Sequence, residues 1–279
     1  MKTGKSRSRL PKGSTFLIYL GIVLVLLAFA LPLLFVVNTA LKTQGDFFVD
    51  PAGVTQTLQW SNIVDAWNTV DFGRYLINSV VYTLVCATVG TFASLLMAFP
   101  VARNFMRGSG AWNAVFVLGL FLPVALVTQF QMLLRLGLYD TQIGYMLLLS
   151  ASVGIGPLLI VGYLRTFPLE LDEAAAIDGV GYFRYLFTFV APLSTPVLVT
   201  AFILQALTVW NEIILATVVF SDENKYPASL GLKAFQGQYA SQWPLLASAT
   251  IIVAIPIIVI YASLQRYFVA GALSGAFKG

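Results

Sequence analysis

The sequence predicts an all-α membrane protein with six transmembrane helices, and three observations carry that expectation. Of its 279 residues, 58% are hydrophobic and only 10% charged, against about 45–50% and about 25% in soluble domains. The mean hydropathy of +0.85 leaves too little polar surface to cover a water-facing exterior. Six apolar runs have the length that crosses a hydrocarbon layer, roughly 20 residues at about 1.5 Å rise each. Lipid offers the backbone no partners and the runs are continuous rather than alternating, so helices are implied instead of strands.

The first run, 16–37, follows Lys2, Lys5, Arg7, Arg9 and Lys12. It exceeds the apolar core of a secretory signal and reads as a retained helix. The others are 80–99, 112–134, 143–164, 196–220 and 245–264. Placing both termini inside puts those five basic residues with Arg103, Arg107, Arg165, Arg184, Arg266 and Lys278 on the cytoplasmic side. Lys42, Arg74, Arg135, Lys225 and Lys233 then lie outside, a positive-inside bias. The expected division is a basic cytoplasmic tail at 1–15, a six-helix domain at 16–264 and a cytoplasmic tail at 265–279. The basic excess suits anionic lipid headgroups of a cytoplasmic (inner) membrane, not nucleic acid.

Two outer loops are large. Residues 39–78 hold Trp60 and Trp67, and 221–244 hold Trp243. Two readings stand for these tryptophans, contact with a partner and the aromatic belt at the headgroups. The inner loop 102–111 is a short basic turn. The next inner loop, 165–192, is net acidic where the orientation rule expects basic, with Glu170, Asp172, Glu173 and Asp178 against Arg165 and Arg184. Pro168 can open a helix whose first turn carries three acids, and Gly179 is a left-handed stop. A second helical segment, 182–190, leads through Pro192 and Pro196 into the fifth span. Helix, glycine turn and helix make a compact knob. Its Ala174, Ala175 and Ala176 are good helix formers, and they also leave a helix slim enough to enter a groove while exposed carboxylates pair with a basic socket.

Several chemistries are excluded. The chain has no histidine and one cysteine, Cys86, so histidine-based catalysis, classical zinc sites and an intrachain disulfide have no residues to work with. No acidic pair, nucleophile with its base, or metal cluster gathers at a predicted interface, which leaves a membrane-embedded enzyme little support. Gly4-Lys5-Ser6 lacks the upstream glycine and the preceding strand of a phosphate loop. Glu212 is the sole carboxylate or amine in the six spans, whereas proton coupling uses several along a path. Work must therefore come from another subunit, and an ion- or proton-coupled carrier of a small polar solute is the lesser alternative. Glu212, beside Trp210 and Asn211, should face a wet cavity, a partner helix or a subunit interface. Gln129, Gln131 and Asn211 have amides that can bond a polar solute or neighbouring helices.

Glu173-Ala174-Ala175, then Gly179, then Pro192 resembles the EAA motif of ABC importer permeases. The fuller motif has isoleucine three positions before the proline and leucine just before it. Phe189 and Ala191 stand there instead, which predicts different packing of the second knob helix. Six spans, the motif between the fourth and fifth, and the run Gln265-Arg266-Tyr267-Phe268-Val269-Ala270-Gly271 with Gly275 and Lys278-Gly279 resemble the carbohydrate, maltose-permease-like branch across essentially the whole chain.

That resemblance implies a type I ABC importer permease fold in which the knob is a coupling helix. It implies a second related permease subunit, two ABC ATPase subunits beneath and an extracytoplasmic sugar-binding protein above. This chain then carries no cofactor, since ATP and Mg belong to the ATPases. Coupling falls to Glu173, Ala174, Ala175, Asp178, Gly179 and Pro192, with Glu173 meeting a basic residue of the ATPase. Gly271, Gly275 and Lys278 become a second ATPase contact. Gln129, Gln131, Asn211 and Glu212 mark the substrate path, and Gly237, Gln238 and Tyr239 probe the binding protein.

Overall fold

A computed structural model describes residues 12–152, 154–236 and 242–276, with side chains from Phe16 to Ser263. The described residues are helical, with no strand among them. In order they form α1 (Lys12–Ala40), α2 (Gln44–Val49), α3 (Ser61–Thr69), α4 (Phe72–Ala102), α5 (Ser109–Phe121), α6 (Leu126–Leu136), α7 (Gln142–Ala151) and α8 (Gly156–Leu164). These continue with α9 (Glu170–Ile177), α10 (Tyr182–Tyr185), a π-helical turn (Leu186–Val190), α11 (Ala191–Leu193), α12 (Thr195–Trp210), α13 (Ile214–Val219), α14 (Ala228–Gly231) and α15 (Trp243–Ala276). The chain separates into two compact units, Met1–Thr69 with Phe235–Ile252, and Val70–Ala234 with Val253–Gly279.

Three helices, Phe16–Ala40, Phe72–Ala102 and Trp243–Ser263, are long and apolar enough to cross a membrane. The number reaches six if each of three bent pairs is one span. The third run is not the continuous helix its composition predicts. α5 and α6 meet at 103° because Pro123 holds Leu122 extended (φ −72°, ψ 132°), which a helix cannot follow. The fourth divides into α7 and α8 at 42°, with Gly154 at φ +51° and Pro157 starting the second piece. The fifth, expected over 196–220, stops at Trp210 and restarts at Ile214.

In the first unit the long loop after α1 is an organised structure. Lys42, only 2% exposed, donates from Nζ to the carbonyls of Asp50 (2.6 Å) and Pro51 (3.1 Å). Asn38 donates to the Gly53 carbonyl and accepts from the Thr55 N–H, and Asn62 donates to the carbonyls of Ala40 and Lys42. A buried ammonium must be paired, and here the folded-back chain supplies the acceptors. Trp243 stacks on Phe47 at 5.8 Å.

The second unit is built on α4, with α7, α8 and α12 packed along it. One apolar cluster joins Leu95, Phe99, Ile160, Leu164, Leu186 and Val197. The other joins Tyr82, Cys86, Leu133, Tyr145, Val209 and Phe220, with Tyr145 and Phe220 rings 4.8 Å apart. Small residues set the helix spacing, as membrane helices require. A Cβ on Gly156 would lie 2.7 Å from Ser94 Oγ. Gly156→Leu should therefore pry α8 from α4 at about 1–3 kcal/mol, read as a lowered unfolding temperature in detergent.

Candidate functional site

The acidic loop folds as its residues predict. α9 carries Glu170, Asp172 and Glu173 in its first turn, where they complement the helix dipole. It ends in a Schellman motif: the Val180 N–H donates to the Ala175 carbonyl (2.9 Å) and the Gly179 N–H to that of Ala176 (3.1 Å), with Gly179 at φ +66°. Ala175 and Val180 turn towards the apolar cluster. Glu173, Ala174, Asp178 and Gly179 stay exposed, and Ile177 at the tip is 86% exposed. The motif thus divides into an outward face and one inward alanine.

Pro192 belongs to a different part of the knob, at the start of α11. It cannot donate to the carbonyl four residues back, and its ring crowds that carbonyl. The preceding turn widens accordingly: the Ala191 N–H reaches back five residues to Leu186 in a π-type bond. The helix Tyr182–Leu193 then meets α12 at 82°. Phe189, at a family isoleucine position, stays exposed with its ring 6.0 Å from that of Tyr185, and Ala191 packs on the apolar cluster.

A network that sequence reasoning missed fastens the knob to α4. Arg103, the residue capping α4, has a side chain 2% exposed, with Nε 3.0 Å from Asp172 Oδ2 on α9. Its Nη1 donates to the Phe167 carbonyl (3.1 Å), and its guanidinium lies 6.0 Å from the Phe167 ring centre. Tyr185 donates its hydroxyl to Asp172 Oδ1 (2.7 Å). Removing one partner from so buried a pair costs about 3–5 kcal/mol, because the other charge is stranded. The sequence signal was an arginine directly after the last apolar turn of α4, but nothing in the chain order pairs it with Asp172.

Glu212 serves as a cap. Its Oε1 accepts from the Leu215 N–H (2.7 Å) and so opens α13, while its own carbonyl accepts from Ser229 Oγ (2.9 Å). Asn211, exposed, donates to the Leu207 carbonyl at the end of α12 (2.8 Å). Gln129 and Gln131 lie on α6, which touches α13. Gln131 is exposed. Gln129 is half-buried, with an Oε1 that is shielded and has no protein partner. Glu212→Leu should lower stability by about 0.5–2 kcal/mol through the lost cap, and Glu212→Gln, which keeps the accepting oxygen, should not. Thermal unfolding in detergent separates the two variants.

Near the N-terminal end of α4, Lys225 Nζ sits 3.1 Å from Asp140 Oδ2 and 3.4 Å from Asp222 Oδ2, and donates to the Asp140 carbonyl (2.7 Å). Asp140 Oδ1 accepts from the N–H groups of Ser221 and Asp222. Burial pushes the Asp140 carboxyl up, but the Lys225 hydrogen bond and those two N–H groups outweigh it and hold it below its ordinary range. The hydrogen bond to Asp140 raises Lys225 despite its desolvation. Asn78 donates to the carbonyls of Asn224 and Tyr226, Tyr82 to that of Lys225, and Arg74 to the Asn224 side chain. The loop after α13 is thereby bound to α4.

Gly4-Lys5-Ser6, Gly237, Gln238, Tyr239 and Lys278 lie outside the described residues. Gly271 and Gly275 fall on the backbone of α15, which runs to Ala276.

Comparison with known proteins bears on these features together. The family described as "Binding-protein-dependent transport system inner membrane component" matches residues 87–273. "Probable ABC transporter permease protein YurM" of Bacillus subtilis (strain 168) is 33% identical over 265 residues, covering 94% of this chain and 88% of that protein. "Melibiose/raffinose/stachyose import permease protein MelC" of the same organism is 29% identical over 263 residues, covering 92% and 94%. A chain from the crystal structure of a bacterial ABC transporter involved in import of the acidic polysaccharide alginate superposes with a TM-score of 0.76 at 18% identity, covering 93% of this chain and 99% of that one. That likeness establishes the fold, an ABC importer permease fold. The chain belongs to the family of binding-protein-dependent transport system inner membrane components, as an integral inner-membrane permease subunit of an ABC transporter and not an enzyme.

Proposed function

We propose that this chain forms half of the translocation pore of an ATP-driven, binding-protein-dependent sugar importer, and that residues 165–192 are its handle for the ATPase. The observation that carries this reading is the outward face of α9. A Schellman-capped helix presents Glu173, Ala174 and Asp178 to solvent, with Ile177 at its tip. An exposed apolar side chain ringed by carboxylates suits a socket with an apolar floor and a basic rim. The relative named for melibiose, raffinose and stachyose import supports the sugar class.

In the full complex a second related permease completes the pore, two ATPases bind ATP and Mg, and an extracytoplasmic binding protein delivers solute. Both termini and the knob are cytoplasmic. When the ATPases close, the knobs move with them and the spans change from inward-facing to outward-facing. Gly271, Gly275 and Lys278 give the ATPases a second contact, and Gly237, Gln238 and Tyr239 meet the binding protein. Gln129, Gln131, Asn211 and Glu212 mark the substrate path, and of these the exposed Gln131 and Asn211 amides are open to a sugar hydroxyl.

Affinity purification of the tagged chain from its own membranes tests this. The ATPase and a sister permease should copurify, and the binding protein encoded with them should bind an oligosaccharide. Purification of the chain without any ATPase would contradict the reading.

A further inference from the structure

We infer that Arg103, Asp172 and Tyr185 form a positioning joint that transmits movement of the knob to α4, and through α4 to the loop bound at its other end. This inference rests on the proposed ATPase handle and adds to it the route by which force leaves that handle.

The joint has the geometry of a fastening. One guanidinium holds the chain entering the knob at the Phe167 carbonyl, and the helix itself at Asp172. Asp172 in turn holds the chain leaving the knob through the Tyr185 hydroxyl. Phe99, fully buried one turn before Arg103, packs its ring 5.2 Å from that of Tyr182 and 6.0 Å from that of Tyr185. Both arms of the knob are therefore tied to the last turn of α4. The two carboxylate oxygens of Asp172 face inward to Arg103 and Tyr185, whereas Glu173, the next residue, faces solvent. Adjacent acids on α9 thus have separate tasks, one internal and one external.

α4 is suited to carry the movement. It is an unbroken helix of 31 residues, about 46 Å long at the usual rise, and three other spans are each interrupted. At its opposite end Arg74, Asn78 and Tyr82 hold the segment 224–226, which the Lys225 ion pairs join to Asp140. Beyond Pro100, one turn before Arg103, no break interrupts the helix, so a displacement passed along α4 reaches the segment 224–226. The coupling is physical only if both ends respond together, and that is measurable.

The test uses the full complex, with the sister permease and ATPase, reconstituted in proteoliposomes. Asp172→Asn keeps an acceptor for Tyr185 but removes the charge that holds Arg103. Tyr185→Phe removes a single hydroxyl and serves if the first variant fails to insert. The ATPase should copurify at the wild-type ratio to assembled permease with either variant, whatever the total yield. Stimulation of hydrolysis by the loaded binding protein, per assembled complex, should fall about tenfold or more for Asp172→Asn and less for Tyr185→Phe. Solute imported per ATP should fall with it. A merely structural role would lower the yield of complex and leave stimulation per complex at the wild-type level, and that result would overturn the inference. Should the wild-type chain bind no ATPase, the proposed function itself fails.

Discussion

Gly179→Pro should abolish import while the chain still enters the membrane at wild-type levels. Three features of the native turn forbid proline. Gly179 sits at φ +66°, and the pyrrolidine ring fixes φ near −65°. Its N–H donates to the Ala176 carbonyl, and proline has no N–H. Asp178 before it is held at φ −75°, ψ 0°, close to the region disfavoured for a residue preceding proline. The cost is about 3 kcal/mol or more, as for proline inside a helix, and it falls on the end of α9 rather than on any span. Gly179→Ala separates conformation from crowding. A Cβ there meets nothing within 4 Å, so the variant suffers only the left-handed penalty of about 1–2 kcal/mol and should import more slowly without being inert. Uptake, copurified ATPase and membrane-fraction abundance are the readouts. Wild-type uptake by the proline variant would count against the knob as the coupling element.

Reversing charge at Glu173 should have an effect of similar size by another route. The side chain is exposed and its charge favours only the first turn of α9, so Glu173→Lys should lower the stability of the chain by about 1 kcal/mol at most. Against the basic socket proposed for the ATPase, the substitution places a cation. Truncating one partner of a buried, hydrogen-bonded interfacial pair costs about 2–5 kcal/mol, and reversal adds repulsion. ATPase binding should weaken by at least about thirtyfold, with import lost in proportion. Glu173→Gln should fall between, and a compensating acidic substitution in the ATPase socket should restore binding to Glu173→Lys.

What could be read from the sequence follows from the range of each interaction. Apolar runs and a glycine after an acidic first turn are local signals, and helices and the Schellman-capped knob formed where those signals lie, three of the runs as single long helices. Composition alone could not show where the spans break. Pro123 and Pro157 were visible punctuation in runs whose hydropathy concealed it. The interruption after Trp210 has no proline: Glu212 caps the restart and a distant Ser229 holds its carbonyl. Long-range pairs were hidden for the same reason. Arg103 looked like one more orienting charge, and Lys42 like an outer-loop cation, until the folded chain supplied Asp172 to the first and the carbonyls of Asp50 and Pro51 to the second. The inward turn of Ala175, within a motif whose neighbours face solvent, likewise depends on packing that a motif does not record.

The central claim is that this chain is a gate worked by a separate motor. Solute uptake into proteoliposomes tests it most directly, with the purified chain and its sister permease measured once with the ATPase and ATP and once without them under an imposed ion gradient. The account predicts accumulation that requires ATP, the ATPase and the loaded binding protein together, and none under the gradient alone. Accumulation driven by the gradient in the absence of the ATPase would contradict it.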